Sequence, residues 1–439
     1  MPLTVCVQGL WHLGSVTAAC LAAVGHHVTG LDRAQTTIDG LAGGNAPLYE
    51  PGLDALVQAG LGSGKLRFTT NPRDAVAGAN VLWVTLDTPV DDEDQADVDF
   101  VLGEVCSVLP WLTPGTLVLV SSQLPVGSIR KLEQFAASTL PAKQLRFACA
   151  PENLRLGKAI EVFLKPDRMV VGVRSAADRQ RLEQLLTPVT DRIEWMAVES
   201  AEMTKHAINA FLATSITFAN EIAALCELVG ANAKEVERGL KSEQRIGPKA
   251  YLAPGGPFAG GTLARDIQYL TQIGSAQHLA TPLLAAVTPS NNEHKHWAHR
   301  RLLARFPNLA GKTVAVWGLT YKPGTDTLRR SLAVELCHWL QTQGTHLRVH
   351  DPVVTRCPPG WGNQALMVDQ PLDALAGADA LVIATEWPLY QEVDFSGVTA
   401  RTPNLLVLDA NRFLPQLASL PGIDYFAVGS APPATGIEP

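Results

Sequence analysis

A chain of 439 residues that is 46% hydrophobic and 18% charged has the balance of a globular protein, with apolar mass for two or three domains. Its net charge of −7 argues against a nucleic-acid groove, which needs a basic stripe, but leaves room for a locally basic site for an anionic small ligand. No run of about 18 uncharged apolar residues stands out, so no contact with a membrane is expected.

The opening segment, 1–14, reads as a strand and a glycine turn, without the basic flank and cleavage site of a signal peptide. Residues 4–7 form a short apolar strand, 9–23 a helix with small residues on one face, and His27–Leu31 a second strand that ends at Asp32. Further strands are predicted at 81–85, 117–121 and 147–150. This alternation predicts a parallel sheet with helices on both faces. Residues 199–229 form a long helical pattern with few breakers, spanning roughly 45 Å at 1.5 Å per residue. Such a helix can join two domains, and its apolar residues can form a dimer face. A second strand–glycine pattern begins at Thr313–Trp317 and Gly318, with later strands at 347–350, 380–384 and 405–408, a weak internal echo of the first half. Residues 432–439 read as a loose Pro/Ala/Gly-rich tail. The fold expected is α/β: two Rossmann-like parallel-sheet domains, 1–198 and 301–439, joined by a central helical region, 199–300. The cysteines, Cys6, Cys20, Cys106, Cys149, Cys226, Cys337 and Cys357, are scattered and form no CxxC pair. They read as reduced core residues of a cytoplasmic protein, with spacing that fits no zinc site, so no metal is expected.

Strand 4–7 runs into Gly9-Leu10-Trp11-His12-Leu13-Gly14, which fits G-x-G-x-x-G except that Trp11 takes the middle glycine. In that fingerprint the first glycine makes the tight turn and the last lets the helix pack closely. The middle one lets a pyrophosphate approach the backbone. Asp32 lies near the offset expected of a carboxylate that binds ribose hydroxyls. It favours NAD over NADP by repelling a 2′-phosphate; the adjacent Arg33 weakens that preference. The competing readings are an ordinary strand–turn–helix without cofactor and a turn role for Asp32. If the cofactor reading holds, Trp11 crowds the pyrophosphate.

Several blocks carry a more specific signal. Leu48-Tyr49-Glu50-Pro51-Gly52-Leu53, Thr88-Pro89-Val90, Ala150-Pro151-Glu152-Asn153-Leu154, residues 201–227, Arg245-Ile246-Gly247, the run Gly318-Leu319-Thr320-Tyr321-Lys322-Pro323 and Thr385-Glu386-Trp387 occur in this order. Together they resemble the motifs of the UDP-glucose and GDP-mannose dehydrogenases from about Val5 to Arg412. The resemblance implies NAD-linked oxidation of the C6 alcohol of a nucleotide sugar, a UDP-hexose before GDP-mannose, bound between two Rossmann-like domains. In the family a cysteine carries the second oxidation to the acid through a thioester. Arg245 and the long helix suggest a homodimer, and the resemblance implies a role in polysaccharide or cell-envelope sugar supply.

Carried over residue by residue, the resemblance makes Lys205 and Asn209 the cation and amide that stabilise the developing oxyanion, four apart and so on one helix face. Asp266 matches the aspartate near the active-site water, and Glu152 the first glutamate of "PEFLREG". Glu152, Asn153, Leu154, Lys205, Asn209, Phe258, Gly260 and Lys322 are expected around the substrate, with Arg245 reaching a nucleotide sugar in the partner subunit. Gly9, Trp11, His12, Leu13, Gly14, Asp32, Thr88, Gln123, Arg265 and Arg329 are expected at NAD. For each charged residue the plain alternative is a solvated surface or helix charge.

The family pattern breaks at several of these positions. Residues 258–266 align without a gap to "FGGSCFQKD", which places Thr262 where the nucleophilic cysteine stands. A hydroxyl is a far weaker nucleophile than a thiolate. Leu156 replaces the second glutamate of "PEFLREG", Gln123 a threonine, Arg265 a lysine and Arg330 the glutamate of "DxRES". The expected function is therefore NAD-linked oxidation of a nucleotide sugar that stops at a two-electron step, reaches the acid through an aldehyde hydrate, or runs redox-neutral. The alternative is a catalytically dead nucleotide-sugar-binding protein or partner subunit.

Overall fold

Short runs of Val, Leu and Cys bounded by Gly, Asn and Asp form strands that are buried along most of their length, as parallel strands covered on both faces must be. A computed structural model describes residues 2–91, 96–152, 154–259, 261–396, 398 and 402–430; the tail expected at 432–439 lies outside them. The chain divides into two units, 1–208 and 209–439.

The first unit holds eight strands: β1 Thr4–Gln8, β2 His27–Leu31, β3 Leu66–Thr69, β4 Val81–Val84, β5 Leu117–Val120, β6 Arg146–Cys149, β7 Met169–Gly172 and β8 Ile193–Met196. Their order in the sheet is β3-β2-β1-β4-β5-β6-β7-β8. All neighbours run parallel except β6 and β7, which meet antiparallel through Cys149 and Gly172. Alternate residues feed opposite cores: Val5, Val7, Trp83 and Leu119 pack on one face, Cys6, Leu82, Val84 and Val118 on the other.

In the second unit β9 Thr313–Trp317, β10 His346–His350, β11 Ala365–Met367, β12 Ala380–Ile383, β13 Leu405–Asp409 and β14 Ile423–Phe426 follow, in the order β11-β10-β9-β12-β13-β14. The internal echo is structural. The amide of Gly9 donates to Leu31 O and that of Gly318 to His350 O. The Asp32 carboxylate accepts from the Leu10 amide and the Asp351 carboxylate from the Leu319 amide. Both glycines have a positive φ, 91° and 88°.

The doubly wound sheets and the long helix agree with expectation; the helix runs Val198–Val229, and its residues fall in both units. Three details differ. The first helix begins at His12, not Gly9, because the positive φ of Gly9 and the extended ψ of Trp11 are not helical. Strands β3, β7, β8, β11 and β14 were not expected. Four of them are sheet edges: Arg67, Glu194 and Asp424 interrupt the apolar run that marks a central strand in β3, β8 and β14, and β11 is only three residues long with Leu366 exposed. Finally, Val198–Val229 is long and apolar enough, by length and composition alone, to cross a membrane. Its charges are too sparse to exclude that on composition, which corrects the reading above.

Candidate active site

The glycine turn is built by steric necessity at two positions. A Cβ on Gly14 would stand 1.7 Å from Gly9 O, and one on Gly9 would stand 2.7 Å from the Leu86 Cα. Position 11 has no such need. Trp11 has φ −73° and is half exposed, so the fold accepts a side chain there. A middle glycine therefore serves what approaches from outside the turn. The first helix has no side-chain cap and no acidic residue in its first turn, which leaves its N–H groups able to receive an anion. Asp32 is held at the end of β2: one carboxylate oxygen accepts from the Leu10 amide at 2.8 Å and the other from the Ala34 amide at 2.9 Å. Arg33 leans over the Phe100 ring, 4.6 Å from its centroid, and reaches Glu104 at 3.5 Å. The cation that weakened the preference for NAD thus has local partners.

Gly9, Trp11, His12, Leu13, Gly14 and Asp32 come together at this turn, and Thr88 donates to the Gln123 carbonyl at 2.7 Å. Arg265 and Arg329 belong to the second unit. Replacing Trp11 by glycine is expected to lower the KM for NAD several-fold and leave the KM for the second substrate unchanged. Steady-state kinetics reads this directly, and an unchanged KM for NAD would show that the indole lies clear of the cofactor.

Glu50, from the Tyr-Glu-Pro-Gly-Leu block, is buried and ties this turn to the chain after Glu152. It accepts from His12 Nε2 at 2.9 Å and from the Gly157 and Ala159 amides at 2.8 Å each. Its pKa settles below the usual carboxylate value: burial pushes it up, but the His12 bond and the two amides outweigh that.

Lys205 is largely enclosed in the first unit, its side chain 14% exposed. Its ammonium donates to the Glu152 carbonyl at 2.7 Å and lies 3.8 Å from the Glu152 carboxylate. The other Glu152 carboxylate oxygen accepts from the Leu154 amide. Asn153 lies outside the described residues. Leu156 is exposed, so the position of the missing second glutamate faces solvent in this unit.

Beside them lie two groups the sequence did not single out. The buried Glu202 accepts from the Gly127 and Ile129 amides. Burial raises its pKa, and those two amides oppose the rise. One turn on, His206 is bonded through Nε2 to the Leu124 carbonyl. Their signal was available: polar residues four apart on the inward face of an apolar helix. Cys149 ends a buried strand, as expected, and burial, then the charge of Glu202, push its thiol well above its usual pKa. It is not a substitute nucleophile.

In the second unit, one position after the units divide, Asn209 donates through Nδ2 to the Asp266 carboxylate. Both are buried, Asp266 completely. Asp266 sits on the helix Thr262–Ala276, whose first residue, Thr262, is exposed after Gly261 at φ 88°. Thr262, Phe258, Tyr251, Tyr321 and Asn411 border a cavity of about 520 Å³. A Cβ on Gly261 would lie 3.5 Å from Arg330 Nη1, so Arg330 places a guanidinium at the start of the Thr262 helix. None of the described cysteines borders this cavity. Lys322 borders a second cavity, of about 650 Å³, at the C-terminal ends of β12 and β13. That is where open α/β sheets bind ligands. Arg245 is 87% exposed and bonded only to Glu243 among the contacts described; it borders neither cavity. Gly260 lies outside the described residues.

Three family models match in sequence. The NAD binding domain of the UDP-glucose/GDP-mannose dehydrogenase family covers residues 3–190, its central domain 199–293 and its UDP binding domain 315–416. The chain is 34% identical to a UDP-glucose 6-dehydrogenase of Pseudomonas aeruginosa over 97% of both chains. It is also 34% identical to one of Rhizobium meliloti over 96% of this chain and 98% of the relative. Its structure superposes with TM-score 0.86 on a UDP-glucose dehydrogenase of the archaeon Pyrobaculum islandicum, 28% identical over 98% of both chains. With a glycine turn built for a dinucleotide and a second Rossmann-like unit open at its strand ends, the chain belongs to the UDP-glucose/GDP-mannose dehydrogenase family and is an NAD-dependent nucleotide-sugar dehydrogenase.

Proposed function

We propose that the protein oxidises the C6 alcohol of a UDP-hexose, UDP-glucose first among them, in the cytoplasm as a homodimer. The observation that carries this reading is the buried Asn209–Asp266 pair, one helical turn from an enclosed Lys205. A protein that only bound the sugar would have little need of a buried carboxylate that orients an amide. The relatives named above are dehydrogenases, which disfavours the alternative of a dead binding protein.

In this reading Lys205 and the free N–H of Asn209 stabilise the alkoxide that forms at C6, and Asp266 fixes the Asn209 amide. NAD, bound at the glycine turn, accepts the hydride. Glu152 holds Lys205 through its carbonyl, and in this reading its carboxylate takes up the alcohol proton. Lys322 and Phe258 face the nucleotide sugar, with Asn153, Leu154 and Gly260 beside them. Thr88, Gln123, Arg265 and Arg329 complete the NAD site. Arg245 reaches the partner subunit's substrate, which fits its exposure. The functional divisions are 1–198 for NAD, 199–300 for the helical and dimer region, and 301–439 for the nucleotide sugar. Phe211, Phe218 and Leu225, seven apart and exposed on the central helix, supply the dimer face.

Thr262 limits the product. An aldehyde can go on to the acid only after a nucleophile adds to it, and the cavity offers a hydroxyl where the family has a thiol. With UDP-glucose and excess NAD, the expected yield is close to one NADH per sugar, with an aldehyde that carbonyl reagents trap. Two NADH per sugar would show that water addition to the aldehyde suffices. Thr262→Cys alone is expected to leave the yield unchanged, because Leu156 and Gln123 also differ from the family pattern. No NADH from any UDP- or GDP-sugar, with sugar binding intact, would overturn the oxidoreductase reading.

A further inference from the structure

The segment 255–258 is irregular backbone that separates the two cavities of the second unit; Gly256, Pro257 and Ala259 border both. Buried irregular backbone must find hydrogen-bond partners outside any helix or sheet ladder. Here side chains supply them. The Gly255 amide donates to Asn220 Oδ1 at 3.0 Å, and His294 Nε2 donates to the Gly255 carbonyl at 2.8 Å. The Gly256 amide donates to Asn411 Oδ1 at 2.7 Å, and Asn220 Nδ2 donates to the Gly256 carbonyl at 3.3 Å. Asn291 closes both groups of Phe258: its Oδ1 accepts from the amide at 2.9 Å and its Nδ2 donates to the carbonyl at 2.7 Å.

Asn220, Asn291 and His294 are all buried. Asn220 lies in the interior of the helix Val198–Val229, and Asn291 within Pro282–Lys295. Asparagine is a poor residue inside a helix, so a role in helix formation does not account for them. Asn291 and His294 are three apart and so share a face of their helix. A Cβ on Gly255 would stand 2.1 Å from Asn411 Oδ1, so a side chain there would displace the Asn411 amide. His294 also borders the 650 Å³ cavity and Asn411 borders both.

We propose that Asn220, Asn291, His294 and Asn411 are positioning residues that fix 255–258 as the shared wall of the two cavities and so set the affinity for the nucleotide sugar. The proposal rests on the functional reading above. These bonds come from the protein's own side chains, so the wall's ordering need not be charged against binding.

The test uses the full chain, with UDP and UDP-glucose titrated by calorimetry and NADH binding read by fluorescence. Asn291→Ala and His294→Leu are expected to weaken UDP-glucose binding about 10-fold or more, with the Kd for NADH unchanged. His294→Gln, which keeps a donor for the Gly255 carbonyl, should restore binding to within a few-fold of wild type. Asn411→Ser tests the same wall from the other side if a buried variant does not fold. Folded variants that bind UDP-glucose like wild type overturn the proposal. So does an equal loss of NADH and sugar affinity, or a failure of His294→Gln to rescue. A wild-type protein that binds neither UDP nor UDP-glucose would instead sink the functional reading, and the proposal with it.

Discussion

Lys205→Ala is expected to lower kcat by on the order of 10²–10³-fold or more, the loss that follows removal of one preorganised oxyanion donor. The effect should reach the upper end because the donor is charged and largely enclosed, where little water screens it. Arginine should not rescue. The small cavity beside Glu152 and Lys205 offers almost no free volume, and a planar guanidinium presents its donors in another geometry. Alanine also strips the Glu152 carbonyl of its ammonium donor, so some stability is lost as well. Lys205→Met, which keeps most of the aliphatic stem, separates the two effects: its melting temperature should fall less, its turnover as much. Activity of Lys205→Ala within a few-fold of wild type would remove this lysine from the chemistry.

Gly14→Ala is expected to reduce kcat/KM for NAD on the order of 10²-fold. The added Cβ would meet Gly9 O at 1.7 Å and Thr85 Oγ1 at 2.7 Å, so the turn must open and the helix behind it must move. Misplacement of a reacting group by about 1 Å costs on the order of 10²-fold in rate. Overpacking adds about 1–3 kcal/mol of destabilisation. Gly62→Ala is the control: nothing lies within 4 Å of the added Cβ, and both activity and stability should hold. NADH fluorescence titration of the two variants decides the matter, and equal affinities would show that the turn does not set cofactor binding.

The relation between these residues and the sequence is uneven. The strand–turn–helix at Gly9 and Gly14, its echo at Gly318, the central helix and the family's motif order were all legible. Each is a local pattern: a period, a glycine where φ must be positive, a colinear string of blocks. The edge strands were not legible, because an edge needs only one apolar face and β8 or β14 reads like a loop. Nor was Glu50, whose buried carboxylate joins segments more than a hundred residues apart. The partners of Arg33 on the helix Val98–Val108 were equally hidden, although Arg33 itself had been weighed.

By itself the sequence determined the two Rossmann-like halves, the family and the absence of a thiol at position 262, since these depend on residue type and spacing along the chain. Only the tertiary structure decided that Asn209 grips Asp266, that Glu152 holds Lys205 through its carbonyl, and that four side chains bond the backbone of 255–258. The reason is that a hydrogen bond between distant segments is set by how elements pack, and packing leaves no period in the sequence.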